Sequence, residues 1–90
     1  MNWRVVLAPS AVSAVRTLPP DIKRSVKSAL DALAKDPHAG KALVKDLRGL
    51  HSYPMRRYRI VYALDFGERR ILVVAVGHRE NIYENLSQRR

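Results

Sequence analysis

Six consecutive apolar residues, Ile71-Leu72-Val73-Val74-Ala75-Val76, constrain this chain more than any other stretch. Ile71, Val73, Val74 and Val76 are β-branched, so the run reads as a strand. Alternation puts Ile71, Val73 and Ala75 on one face and Leu72, Val74 and Val76 on the other. A strand apolar on both faces belongs in the interior of a sheet, since an outer position would leave apolar surface in water. The run then turns polar, through Gly77, His78 and Arg79 to Tyr83. Polar residues at the end of a buried strand lie at a sheet rim, where chemistry can be held.

The elements before it follow in order. Trp3 to Ala8 is rich in strand formers and stops at Pro9. Ser10 is placed to cap a short helix carrying Val12, Val15 and Leu18, and Pro19-Pro20 ends it. A second helix starts near Pro20 or Asp21, with Ile22, Val26, Ala29, Leu30 and Leu33 as its apolar stripe, and ends before Pro37. Residues 37–49 read as a connector that Leu43, Leu47 and Leu50 pin to the core. Leu50 to Pro54 is a weak strand, because proline suits an edge or a strand end. Met55 to Arg57 is a turn, Tyr58 to Leu64 a strong strand, and Asp65 to Glu68 a second turn. Residues 80–86 suit one or two helical turns, and 87–90 a frayed tail. The predicted fold is α+β, ordered β-α-α-β-β-β with a short C-terminal helix: a mainly antiparallel four-stranded sheet with an α-hairpin on one face. Residues 1–86 form a single domain.

Charge narrows the function. Among 90 residues, 17 Lys and Arg face 8 Asp and Glu, for a net charge of +9. A bias that large in one small domain favours a polyanionic partner. Most of the excess falls between Lys41 and Arg79, where Lys41, Lys45, Arg48, Arg56, Arg57, Arg59, Arg69, Arg70 and Arg79 meet only Asp46, Asp65 and Glu68. Helices on one face leave the other free to present these cations. Alternation puts Arg59 on the face of Arg57 and Val61, and Arg79 in phase with Ile71, Val73, Ala75 and Gly77. Tyr58 and Tyr62 read as core residues; Tyr83, beyond the strand end, is equally suited to function. Without cysteine there is no disulfide and no thiolate metal site. No apolar run reaches the ~20 residues of a membrane helix, and the N-terminus lacks the pattern of a signal peptide. The expectation is a cytoplasmic protein with neither metal nor cofactor, and no membrane partner.

Several motifs carry a resemblance. Leu47-Arg48-Gly49-Leu50, Arg57-Tyr58-Arg59-Ile60-Val61-Tyr62, Val76-Gly77-His78-Arg79 and Ile82-Tyr83 resemble the RelE/ParE superfamily of bacterial and archaeal toxins, as does Asp36-Pro37 followed by Gly40-Lys41-Ala42-Leu43. The resemblance covers nearly the whole chain and implies the fold just given. RelE-like members are ribosome-dependent endoribonucleases that cut mRNA in the A site. ParE-like members inhibit DNA gyrase. Both kinds are neutralised by a cognate antitoxin, so the implied partners are that antitoxin and the ribosome with its mRNA. For a RelE-like toxin the resemblance implies Arg59 and Arg79 as a phosphate clamp and Tyr83 as the residue that stacks on or orients a nucleotide. His78 fills a position that often holds Lys or His, and imidazole is the side chain best suited to proton transfer near neutral pH. Lys41, Lys45, Arg48, His51, Arg56 and Arg57 are the candidate RNA-binding residues. One departure stands out. The strand that commonly carries two basic residues two apart here reads His51-Ser52-Tyr53-Pro54, with Ser52 and Pro54 at those places. His51, Arg56 and Arg57 are candidates to replace that charge. A gyrase inhibitor, and a basic binding module or inactive toxin, remain the alternatives.

Overall fold

The computed structural model describes residues 2–78. The expected C-terminal turns and tail, with Arg79 and Tyr83, lie outside the described residues. Strand β1 (Arg4–Leu7) leads into helices α1 (Pro9–Arg16) and α2 (Pro20–Lys35). A two-residue strand β2 (Lys41–Ala42) and a 3-10 turn (Lys45–Leu47) follow. Strands β3 (Leu50–Met55), β4 (Tyr58–Asp65) and β5 (Arg70–His78) complete the described chain. The sheet order is β1-β5-β4-β3-β2, with β1 parallel to β5 and the other neighbours antiparallel. The α+β class is as expected, and β5 is indeed paired on both sides.

The sheet has five strands, not four. The connector yields β2 because Lys41 and Ala42 pair with Ser52 and His51. Two residues carry no periodicity, so only the tertiary partner makes them a strand. β3 is therefore flanked on both sides over part of its length. Its Pro54 is tolerated for a reason the register shows. Leu43 donates its N–H to the carbonyl of Leu50 at 2.9 Å, so Leu50 turns its backbone groups toward β2. Pro54 shares that parity but lies beyond the end of β2. Its missing N–H falls on the open sheet edge, costs no ladder bond, and discourages an incoming strand.

The helices cover one face only. Buried Ile22, Val26, Ala29 and Leu33 of α2 and Ala11 of α1 pack on Met55, Ile60, Tyr62, Ile71, Val73 and Val76. Fully burying a Val, Leu, Ile or Met side chain contributes about 1.5–3 kcal/mol. Ser10 is not the cap of α1. The helix begins at Pro9, whose missing N–H suits a first turn, and the capping position is Ala8. The Ser10 hydroxyl instead donates to the carbonyl of Val74 at 3.1 Å, beyond the point where β1 leaves the sheet.

That contact marks a β-bulge. Val61 pairs with Ala75 while Tyr62 pairs with Val73, leaving Val74 as an extra residue in β5. Simple alternation along β5 therefore fails: Ile71, Val73 and Val76 are all buried on the helix face, and Ala75 and Gly77 turn to the other. A period-two reading cannot see a bulge, because each residue type in Val73-Val74-Ala75 suits either face.

Candidate functional site

The register sorts the residues of the two faces, because directly opposed antiparallel residues point the same way. Tyr58 faces His78, Ile60 faces Val76 and Tyr62 faces Val73, all on the helix side. The other face carries Arg59 opposite Gly77 and Pro54, and Val61 opposite Ala75 and Ser52. Lys41 extends that second row across β2, since it pairs with Ser52. Ala63, Leu50 and Leu72 form a third row, flanked by Val6 of β1. We call this the open face.

Its floor is uncharged and closed to solvent at Val61 (0% exposed) and Ser52 (1%), while Val6 and Leu72 are 38% and 39% exposed. Its charge is strongly biased. Arg4, Lys41, Arg59 and Arg70 share the face with one described carboxylate, Asp65. Asp65 is already engaged, accepting from the Arg70 guanidinium at 2.8 Å, and that bond holds its carboxyl below the usual carboxylate range. Arg59 is different. It makes no ion pair among the described residues, and its Nε is buried without a hydrogen-bond acceptor. A buried donor left unpaired costs about 1–3 kcal/mol. Its partner across the ladder in β5 is Gly77. An unpaired guanidinium on a basic surface fits a bidentate oxyanion such as phosphate.

The other expected residues divide between this face and elsewhere. Lys41 is on the open face and exposed. Lys45 and Arg48 lie at the 3-10 turn beside β3. Arg57 is exposed in the two-residue turn between β3 and β4. Its neighbour Arg56 takes a left-handed conformation (φ 59°), and its guanidinium pairs with Asp21 of α2 at 3.3 Å. Arg56 is thus directed to the helix layer. His51 also points there, stacked on Tyr62 with centroids 5.3 Å apart. Burial, helped by the nearby charge of His38, pushes its pKa down. His78 is stacked on Tyr58 at 4.7 Å, so it and Arg59 occupy the same end of the sheet on opposite faces. Sequence reasoning missed Ser52 as a buried floor residue. The only sequence signal for it was its two-residue spacing from Pro54. Among the described residues no group of three or more His, Asp or Glu could hold a metal ion, and no helix is long and apolar enough to cross a membrane.

Comparison with known proteins gives this geometry a lineage. A family model described as the ParE-like toxin of type II bacterial toxin–antitoxin systems matches residues 5–87. Toxin RelE of Mycobacterium tuberculosis is 34% identical over 83 residues, covering 90% of this chain and 86% of the relative. A chain of the RelBE2 toxin–antitoxin complex from the same organism superposes with a TM-score of 0.82 at 28% identity, covering 88% of this chain and 100% of that one. A mutant of E. coli toxin RelE in the free state shares the fold, with a TM-score of 0.79 at 21% identity over 99% of this chain and 98% of that one. Two helices on one face of a sheet, a basic open face and these matches agree: the chain belongs to the ParE-like toxin family of type II toxin–antitoxin systems, within the RelE/ParE superfamily.

Proposed function

We propose that this toxin is a ribosome-dependent endoribonuclease that cuts mRNA in the A site. The observation that carries the reading is the Arg59 guanidinium, with its buried Nε lacking an acceptor, on a face whose one described carboxylate is already paired. In the proposed reaction a ribose 2′-oxygen forms a bond to the adjacent phosphorus and the bond from phosphorus to the 5′-oxygen breaks. The 2′ proton passes to a base, and a proton is delivered to the departing 5′-oxygen. Charge accumulates on the phosphoryl oxygens, and Arg59 supplies pre-placed donors for it. Arg79 is the second arm of the clamp, Tyr83 the nucleotide-orienting residue and His78 the proton-transfer group. His78 is the last residue of β5, paired with Tyr58 on the helix side, so it reaches a ligand held by Arg59 only around that end of the sheet.

A translating extract tests this. Added protein should cut mRNA within codons at the A site, and Arg59→Ala should lose about 10²–10³-fold of the cutting rate, as removal of one oxyanion donor does. Its far-ultraviolet circular dichroism should match wild type, since Arg59 lies outside the helix-side core. Intact mRNA on toxin-treated ribosomes would sink the proposal.

A second reading rests on Ser52 and Pro54, which stand beside Arg59 on the open face and bring no charge. That arrangement suits a ParE-type inhibitor of DNA gyrase, which needs a binding face and no proton transfer. Unimpaired supercoiling at excess toxin excludes it. In either case we propose a cognate antitoxin as partner and the cytoplasm as the place of action. The solved RelBE2 relative is a toxin–antitoxin complex, and exposed Val6 and Leu72 beside the cations suit an acidic partner with apolar anchors.

A further inference from the structure

The open face has a second cation positioned to share a ligand with Arg59, and it comes from β2. Lys41, Ser52 and Val61 lie in one row across β2, β3 and β4, and Arg59 is two residues along β4 from Val61. Strand spacing and rise put Lys41 and Arg59 about 12 Å apart at Cα. Both side chains are long enough for their cationic heads to reach one phosphate. The floor between them is Ser52, Pro54 and Val61, with no charge of its own and with Ser52 and Val61 closed to solvent. A low-dielectric floor strengthens the pull of both cations on an anion.

The carboxylate in the strands of this face does not compete. Asp65 is six residues further along β4, about 20 Å away, and is held by Arg70. Lys41 is exposed and makes no ion pair among the described residues. The placement of β2 is enforced rather than incidental. Gly40, just before Lys41, lies on the helix side, where a Cβ would overlap the Tyr62 hydroxyl and come within 2.9 Å of the Ser52 carbonyl oxygen. Only glycine lets the chain close on β3 there, and that closure sets Lys41 on the opposite, open side.

We infer that Lys41 and Arg59 together clamp one phosphate of an RNA strand lying across β3, so that β2 supplies the cation that β3 lacks. The inference rests on the RNA-directed reading of the open face. Arg59 offers a planar fork and Lys41 a point charge, a pairing that fixes a phosphate while leaving the bases free to be read elsewhere.

Two measurements on the full-length protein test it, with Lys41→Gln, Lys41→Arg and, as control, Lys27→Gln. Lys27 lies on α2, paired with Asp31 at 3.3 Å, in the layer away from the open face. The first is A-site cutting in the extract. Lys41→Gln should lower cutting efficiency at least ~10-fold, the usual scale of a lost charged contact, while Lys41→Arg restores most of it. The second is polarisation of a fluorescent decaribonucleotide over a range of salt. Lys41→Gln should weaken binding and reduce the salt slope by about 0.7, the value of one phosphate contact to a single strand. Wild-type cutting with Lys41→Gln indistinguishable from Lys27→Gln in both measurements overturns the inference. If wild type leaves mRNA intact, the endonuclease reading fails, and the oligonucleotide measurement still decides Lys41. There a slope change confined to Lys41→Gln supports the clamp, and equal slopes reject it.

Discussion

Tyr62 shows how one side chain ties sequence to architecture. Its ring is fully buried, while its hydroxyl donates to the carbonyl of Pro37 at 2.9 Å and accepts from the N–H of Gly40 at 3.1 Å. One phenol thus satisfies two backbone groups of the connector. Tyr62→Phe keeps the ring and strands both groups, so it should cost about 1–3 kcal/mol for each that water cannot reach, read from the urea midpoint. Its stacking partner His51 carries a pH signature. Burial and the nearby His38 hold His51 below the ordinary value of 6.5, so the folded state binds the proton less readily than the unfolded chain. Stability is therefore full above pH 6.5 and falls as pH drops toward the folded value. Thermal melts from pH 7.5 to 5 should show that loss, and His51→Gln should reduce it. The sequence placed Tyr62 in the core, but it counted His51 as RNA-binding. Nothing in its neighbours reveals that its face is the helix side; that follows from the alternation of β3 only once the register with β4 is known.

At the level of elements, the unforeseen parts are the short and irregular ones. Both helices were legible because five apolar residues recur at helical spacing in α2 and prolines bracket each helix. β4 and β5 were legible from alternation and β-branched content. β2 and the bulge at Val74 were not. A two-residue strand exists only through its partner, and a bulge in Val73-Val74-Ala75 is silent in a run where every residue is apolar. Yet these two devices arrange the open face: the bulge turns Gly77 to lie beside Arg59, and β2 brings in Lys41. Gly40→Ala tests the second. The added Cβ would collide with Tyr62, so the variant should lose about 1–3 kcal/mol, the usual cost of overpacking. Amide exchange should show the loss first at Lys41 and Ala42; uniform loss across the sheet would instead mean that Gly40 serves the core as a whole.

For the whole molecule, the layering decides where charge can act. With both helices on one face, the described cations outside the helices and turns collect on the other. A net charge of +9 says only that a polyanion is favoured, whereas the layering gives it a surface. Binding of the open face to single-stranded RNA should be steeply salt-dependent. Three contacts, from Arg4, Lys41 and Arg59, predict a slope of about −2 in log affinity against log salt, or roughly 20-fold weaker binding at 200 mM than at 50 mM salt. A flat salt response, measured by polarisation, would mean that the open face binds through its exposed apolar residues, Val6 and Leu72, instead.

The sequence by itself determined the layers, the interior position of β5, the basic character and the family, because periodicity, composition and ordered motifs are local or global properties of the chain. It also pointed to Arg59, through the Tyr58-Arg59-Ile60-Val61-Tyr62 motif that carries the family resemblance. Only the tertiary structure decided which side chains share a face. Pairing register depends on residues far apart in the chain, and a single extra residue in one strand reverses every side chain beyond it. That is why Arg59 and His78, one motif apart in the sequence reading, stand on opposite sides of the sheet, while Lys41, 18 residues before Arg59 in the chain, stands with it.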